Sequence, residues 1–288
     1  LSPEARDAGR KAIGGAFAAV LADSALDDLM RGELIILPGE SYLHEQLAPV
    51  DPGKVRAERE DLKRWLGETL KAEWTTLHER CSAVPYSLDA SARGARKLKT
   101  QALVYLAPAD PADAARRARA QYDAATNMTD RQGALMVLAG LDVPEREVAL
   151  RDFHQRFADN MLVIDKWFSL QAGSLHPEAL AHVQALAGHP DFTLNNPNRV
   201  RALYMAAAAN PGVFHDASGA GYRMIADLIL QLDPINGNVA ARFVPPLGRW
   251  KKIEPARAAL MRAELERIAA QPGLSRDVRE QVSKSLEG

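Results

Sequence analysis

The stretch "TLNNPNRVRALY" (residues 193–204) places a polar cluster directly before a run of apolar residues and alanines. Asn196 is predicted to cap a helix and Pro197 to open it, because asparagine accepts bonds from unpaired first-turn N–H groups and proline has no N–H to leave unpaired. Arg199 and Arg201 then fall in the first turns, where the helix dipole disfavours cations. Each is therefore expected to have an anionic or carbonyl partner.

The same start signal recurs along the chain, at Ser2-Pro3, Asp51-Pro52, Asp110-Pro111 and Asn236-Gly237. Between these positions the apolar residues follow a helical period, and β-branched residues never form an alternating run. The sequence therefore predicts an all-α protein with no significant β-sheet. Among the individual expectations are one long helix over 52–81 and a helix capped by Thr129.

Helices of ordinary length alternate with short links from about residue 88 onward. This pattern is typical of a superhelical stack of helical hairpins, a solenoid of the HEAT or armadillo type with degenerate repeats. We expect residues 1–288 to form a single helical domain, with a looser N-terminal section (1–87) and a helical-repeat section (88–288).

Composition excludes several classes of partner. The 36 Lys and Arg residues nearly equal the 37 Asp and Glu residues, so no overall field favours nucleic acid or an anionic membrane. Cys81 is the only cysteine, which fits a reducing compartment such as the cytoplasm. The apolar runs are too short to span a bilayer, and no signal peptide is visible. Because the chain opens with Leu1, we expect a C-terminal piece of a longer protein.

No catalytic or metal-binding residue is predicted. "HEQLA" (44–48) and "HERCS" (78–82) begin as a zinc-peptidase helix does, but a second histidine one turn later is required. Ala48 and Ser82 stand there instead. His176, His182 and His189 are spaced so that no two share a helical face, and no nucleophile elbow or phosphate loop occurs.

Two polar groups remain as candidates for binding. Arg199 and Arg201 flank an apolar helical stripe on opposite sides. Asn238 and Arg242 are four residues apart and share a helical face, where an amide and a guanidinium could hold a carboxylate or peptide carbonyls. Capping combined with surface charge is the alternative interpretation of both groups.

Six segments occur together in an order typical of one family. They are "NMTDRQGAL" (127–135), "DKWFSLQA" (165–172), "FTLNNPNRVRAL" (192–203), "NPGVFH" (210–215), "GAGYRM" (219–224) and "NVAARFVPPLGRWK" (238–251). In these segments the chain resembles the C-terminal helical domain of bacterial aminopeptidase N, a zinc metallopeptidase of the alanyl aminopeptidase type. The resemblance is thinner before residue 88, where "LIILPGESYL" (34–43) is the best match.

The resemblance implies an all-α domain that closes over the catalytic domain of the same chain. That other domain would hold the zinc and the catalytic residues, so no cofactor is expected in these residues. By motif position, Arg201 and Arg242 would line the chamber that receives the peptide substrate, as would Asn238, where the family commonly has glutamine. The competing hypothesis is a free-standing helical-repeat scaffold that binds a protein partner.

Overall fold

The computed structural model describes residues 2–287, and the regular structure in that range is helical. The exception is an isolated parallel bridge between Val50 and Ile253. Val50 donates to the Lys252 carbonyl and accepts from the Glu254 N–H, both at 2.8 Å. The predicted all-α class is therefore confirmed. Over the same range, none of the helices combines the length and apolar character that crossing a bilayer requires.

Two compact units make up the chain. The first comprises the chain up to Pro38 together with Glu58–Asp152. Its helices are Pro3–Ala22, Asp28–Leu34, most of Pro52–Thr69, Lys71–Ser82, Ala90–Ala109, Pro111–Ala124, Met128–Ala139 and the first part of Pro144–Arg156. Successive helices contact one another, as Lys71–Ser82 and Ala90–Ala109 do, which is the predicted helical-hairpin arrangement.

The second unit comprises Gly39–Ala57 and the chain from Phe153 onward. Its complete α-helices are Glu40–Glu45, Met161–Ala172, Ala179–Ala187, Pro197–Val200, Ala206–Ala209, Pro211–Phe214, Ala220–Ala241, Val244–Gly248, Pro255–Ala269 and Arg276–Glu287. Arg201–Met205 is a π-helical turn and Arg249–Lys252 a 3₁₀ turn. The predicted division at residue 88 lies inside the first unit, and the single-domain organisation stays a prediction.

The predicted helix starts are confirmed in atomic detail. The side chains of Ser2, Asp51, Asp110, Asn196 and Asn236 each accept a hydrogen bond from a backbone N–H of the first turn that follows. Asn236 is the least regular case. It has non-helical torsions (φ −156°, ψ 86°) inside Ala220–Ala241, so it restarts a helix across a kink.

Two local expectations are wrong. The predicted helix over 52–81 is divided at Leu70, which leaves helical torsions (φ −111°, ψ 29°). At this break the buried Trp74 donates its indole N–H to the Leu66 carbonyl at 3.1 Å, a tertiary arrangement that helical periodicity does not encode. The second error is Thr129, because Asn127 caps that helix by accepting from the Asp130 N–H at 2.9 Å.

An aromatic cluster forms the core of the first unit. The rings of Trp74 and Tyr105 stack with centroids 4.6 Å apart, and Phe17 meets Tyr105 edge-on at 5.6 Å. The Tyr105 hydroxyl donates to the buried Ile35 carbonyl, so its polar tip is satisfied in the apolar interior. Gly67 makes this packing possible, since a Cβ there would lie 2.1 Å from the Tyr105 carbonyl oxygen.

We predict that Gly67→Ala lowers the free energy of unfolding by about 1–3 kcal/mol, because the two helix backbones must separate to admit a methyl group. Gly15→Ala is the matched control, since it is also helical and a Cβ there meets nothing within 4 Å. The control should raise stability by about 0.5–1 kcal/mol through helix propensity. Urea titration followed by circular dichroism measures both, and equal effects would contradict the close helix contact.

Candidate functional site

A cavity of about 380 Å³ lies within the second unit. Its walls come from separate parts of the chain, namely the regions 41–50, 205–215 and 242–253. The lining residues are Ser41, His44, Glu45, Val50, Met205, Ala208, Ala209, Pro211, Phe214, His215, Arg242, Pro245, Pro246, Arg249, Lys252 and Ile253. The cavity therefore combines apolar surface with several basic side chains, as ligand sites commonly do.

A π-helical turn shapes one wall. Arg201–Met205 continues the helix that Asn196 caps, and Met205 and Ala208 from this continuous helix reach the cavity. The Ala202 carbonyl within the turn accepts a hydrogen bond from the Ser169 hydroxyl at 2.9 Å. A neighbouring helix thus satisfies a carbonyl in the irregular turn, which is the usual requirement for such bulges.

The basic side chains around the cavity differ in their pairing. Lys252 donates to Glu45 at 2.7 Å, and Arg249 lies 3.7 Å from the same carboxylate. The Lys252 hydrogen bond is the largest cause that lowers the pKa of Glu45, so this carboxylate is ionised at neutral pH. Arg242 is different. Its side chain is exposed and, among residues 2–287, forms no hydrogen bond or ion pair.

Two histidines in the cavity wall are neutral at physiological pH. His44 and His215 have ring centroids 5.9 Å apart. Burial lowers the pKa of His215 to about 3, and its Nδ1 lies 2.7 Å from the Tyr222 hydroxyl. Burial, followed by the charge of Arg249, also lowers the pKa of His44. A neutral ring neither offsets the charge of an anionic ligand nor repels a cationic ligand. The arginines and the lysine therefore set the local charge.

The structure separates the residues singled out by sequence. Arg242 lines the cavity, whereas Arg201 and Asn238 do not belong to its lining. Arg201 donates instead to the Asn198 side chain, its neighbour in the first turn. Asn238 is exposed in the last part of the helix Ala220–Ala241, and Arg242 follows the end of that helix. A chamber role for Arg201 and Asn238 stays a prediction, and Arg242 is the member of the set with a defined cavity around it.

Arg199 occupies the interior of the second unit. It is 2% exposed, and its Nε donates to Asp165 at 2.6 Å. Its Nη1 donates to the Asp191 carbonyl, and its guanidinium lies 4.7 Å above the centre of the Phe168 ring. The expectation of an anionic or carbonyl partner is thereby confirmed for Arg199, which has one of each.

The histidines of the two His-Glu fragments lie in different units of the chain. His78 is buried in the first unit, where burial lowers its pKa to about 4. His44 lines the cavity of the second unit, and neither fragment has a histidine one turn later. Cys81 is also buried, which raises the pKa of its thiol to about 11, so the thiol is protonated at neutral pH.

A second cavity lies in the first unit around His78 and Gln121. Its cations are neutralised at short range. Lys99 pairs with Asp130 at 2.8 Å, and Arg117 pairs with Asp113 at 2.7 Å. Its neutralised charges make it a weaker candidate for anionic or carbonyl ligands than the cavity that contains Arg242.

Comparison with known proteins agrees with the helical-repeat architecture. Residues 3–287 match the family model described as "Domain of unknown function (DUF3458_C) ARM repeats". The chain is 39% identical over 282 residues to aminopeptidase N of Caulobacter vibrioides and 33% identical over 275 residues to that of Escherichia coli. These alignments cover 97% and 95% of this chain but 33% and 32% of the relatives, so the chain spans about a third of their length.

A solved structure has the same fold over the whole chain. The crystal structure of Legionella pneumophila aminopeptidase A in complex with aspartic acid superposes with a TM-score of 0.86 at 31% identity. The match covers 100% of this chain and 34% of that one. The resemblance inferred from motifs is therefore confirmed, and the matching region of the curated relatives is their C-terminal part.

We predict that Arg199→Ala lowers the free energy of unfolding by about 3–5 kcal/mol, because it leaves Asp165 without its buried partner. Arg201→Ala, two residues away and partly exposed, should change stability by no more than about 0.5 kcal/mol. Chemical denaturation of both variants makes the comparison. Similar losses in the two variants would contradict the division of roles between the arginines.

The desolvated imidazole of His215 predicts a pH dependence of stability. Its pKa is about 3 in the folded protein and near 6.5 when unfolded, so between these values the unfolded chain binds the extra proton. Stability is therefore lost as pH falls below about 6.5. His215→Gln should reduce the slope of unfolding free energy against pH by up to about 1.4 kcal/mol per pH unit between roughly pH 6 and 4. An unchanged slope in denaturation curves at several pH values would contradict a neutral His215 imidazole in the folded protein.

Proposed function

The chain belongs to the DUF3458_C family of ARM-repeat domains, and on that premise we propose that it is the non-catalytic C-terminal domain of a zinc-dependent aminopeptidase. In this role it closes over the catalytic domain and lines the chamber in which peptides lose their N-terminal residues. Two features of the comparisons support this proposal: the chain spans about a third of its aminopeptidase N relatives, and its fold matches part of an aminopeptidase in complex with aspartic acid.

The observation that carries the proposal is the unpaired guanidinium of Arg242 at the cavity. A guanidinium is permanently charged and presents several donors in a plane, which suits carboxylates and peptide carbonyls. Nearby, Arg249 and Lys252 share the single carboxylate of Glu45, so the wall keeps an excess of positive charge. We assign the downstream carbonyls or terminal carboxylate of a bound peptide as the partner of Arg242.

Exposed apolar residues beside the cavity support a covering domain. Tyr42 and Leu47 are 61% and 47% exposed, and in the sequence they lie within three residues of Ser41 and His44 of the cavity wall. Apolar side chains beside a ligand cavity are typical of surfaces that another domain covers. We assign the catalytic domain as that cover.

Zinc chemistry is assigned to the rest of the longer protein. The zinc-peptidase motif needs two histidines on successive turns, and the positions after His44 and His78 are Ala48 and Ser82. We expect the coding sequence upstream of Leu1 to contain H-E-x-x-H with a glutamate further downstream. Its absence would favour the free-standing scaffold that binds a protein partner.

Arg242→Ala in the longer protein tests the chamber role. Losing one charge-assisted contact in a hydrated chamber should reduce kcat/KM for short peptides about threefold to thirtyfold. An aminoacyl anilide lacks the downstream carbonyls and carboxylate, so its cleavage should change much less. The ratio of the two specificity constants is the measurement.

Arg223→Ala is the matched control, because Arg223 is exposed on the helix Ala220–Ala241 that precedes Arg242 but lies outside the cavity lining. It should leave both substrates unaffected. Equal losses on peptide and anilide, or no loss on either, would remove Arg242 from the path of the peptide.

A further inference from the structure

Three side chains with metal-binding atoms converge on the surface of the second unit. His154 comes from the last turn of the helix Pro144–Arg156, whereas His189 and Asp191 come from the loop that follows Ala179–Ala187. One ligand atom from each lies within 4.8 Å of the other two. His154 Nε2 is 2.6 Å from Asp191 Oδ2, and His189 Nδ1 is 3.8 Å from the same oxygen.

Surrounding residues hold these side chains in place. The Trp167 ring lies under both imidazoles, with centroids 4.8 Å from His154 and 5.2 Å from His189. Phe168 meets His189 edge-on at 5.7 Å. The buried Arg199 donates to the backbone carbonyl of Asp191, so the loop carrying two of the three groups is tied to the core. The three groups are therefore positioned by packing before any ion arrives.

The electrostatic surroundings tolerate a cation. The buried Arg199 donates to the Asp191 carbonyl, and Asp165 neutralises its charge at 2.6 Å. His154 lies at a helix C-terminus, where the dipole favours positive charge. The Asp191 carboxylate supplies a negative charge to the ion itself.

We propose that His154 Nε2, His189 Nδ1 and Asp191 Oδ2 form a binding site for a divalent transition-metal ion such as Zn²⁺. Two imidazoles and one carboxylate suit this class of ion and leave a fourth tetrahedral position for water. At Zn–ligand distances of about 2.0–2.1 Å, tetrahedral ligand atoms are about 3.3 Å apart, so rotations of partly exposed side chains are sufficient. The ion replaces the His154–Asp191 contact and the 3.1 Å hydrogen bond from the Asp191 N–H to His189 Nδ1.

This site is independent of the proposed chamber role. It involves neither the His-Glu fragments nor the residues around Arg242, and it lies in this chain rather than in a catalytic domain. Its test can therefore be carried out on the 288-residue chain without an activity assay.

The chelator-washed chain is titrated with ZnCl₂ by calorimetry and with CoCl₂ by visible absorption. We expect one ion per chain and Co²⁺ bands typical of a tetrahedral or five-coordinate nitrogen–oxygen site. His154→Gln, His189→Gln and Asp191→Asn should each weaken Zn²⁺ affinity at least about tenfold, since even partners outside the ligand set commonly cost that much. Circular dichroism verifies that each variant retains its helical content.

His182→Gln is the control, because His182 belongs to the same unit, lies outside the cluster of three ligands and has its ring 4.6 Å from that of His176. It should leave the affinity unchanged. Loss of binding in this control, with retention in the three ligand variants, would place the ion at the His176–His182 pair and overturn the proposal. Failure of the unsubstituted chain to bind either ion would also overturn it.

Discussion

The second unit depends on the buried guanidinium of Arg199. An arginine removed from water destabilises a fold unless its charge and its donors are satisfied. Here Asp165 supplies the charge, the Asp191 carbonyl accepts a further hydrogen bond, and the Phe168 ring covers one face. One side chain thereby connects the helix that carries Asp165, the loop that carries Asp191 and the helix that it belongs to.

Both candidate sites are connected to that arginine. The helix that contains it continues through the π-helical turn to Met205 and Ala208, which reach the cavity. The loop that it holds presents Asp191 beside His154 on the surface. Packed protein interiors deform little. Anchoring these segments in the core therefore restricts the positions of cavity and surface residues that are themselves partly exposed.

The net charge of the cavity wall depends both on which charged residues line it and on the burial of its two histidines. The whole chain is nearly neutral, yet the cavity wall contains three cationic side chains and one carboxylate. His44 and His215 add nothing to that charge, because burial disfavours their protonated forms. A positively charged wall of this kind favours carboxylate and carbonyl groups, which is consistent with the chamber role that we propose.

Local signals in the sequence determined the fold class and the places where helices start. A cap such as Asn196 acts on N–H groups two or three residues away, so its effect can be deduced without the rest of the protein. The motifs also identified the family. The break at Leu70 could not be predicted in this way, because it accompanies the burial of Trp74, a tertiary contact.

The roles of individual side chains could be assigned only from the tertiary structure. Arg199 and Arg201 are equivalent by position in the first turns of one helix, and only long-range partners distinguish the buried residue from the partly exposed one. Spacing placed no histidines together, yet His154 and His189 meet with ring centroids 5.2 Å apart. Contacts between residues 35 or more positions apart depend on how helices pack, and helical periodicity specifies which face is apolar but not which neighbour covers it.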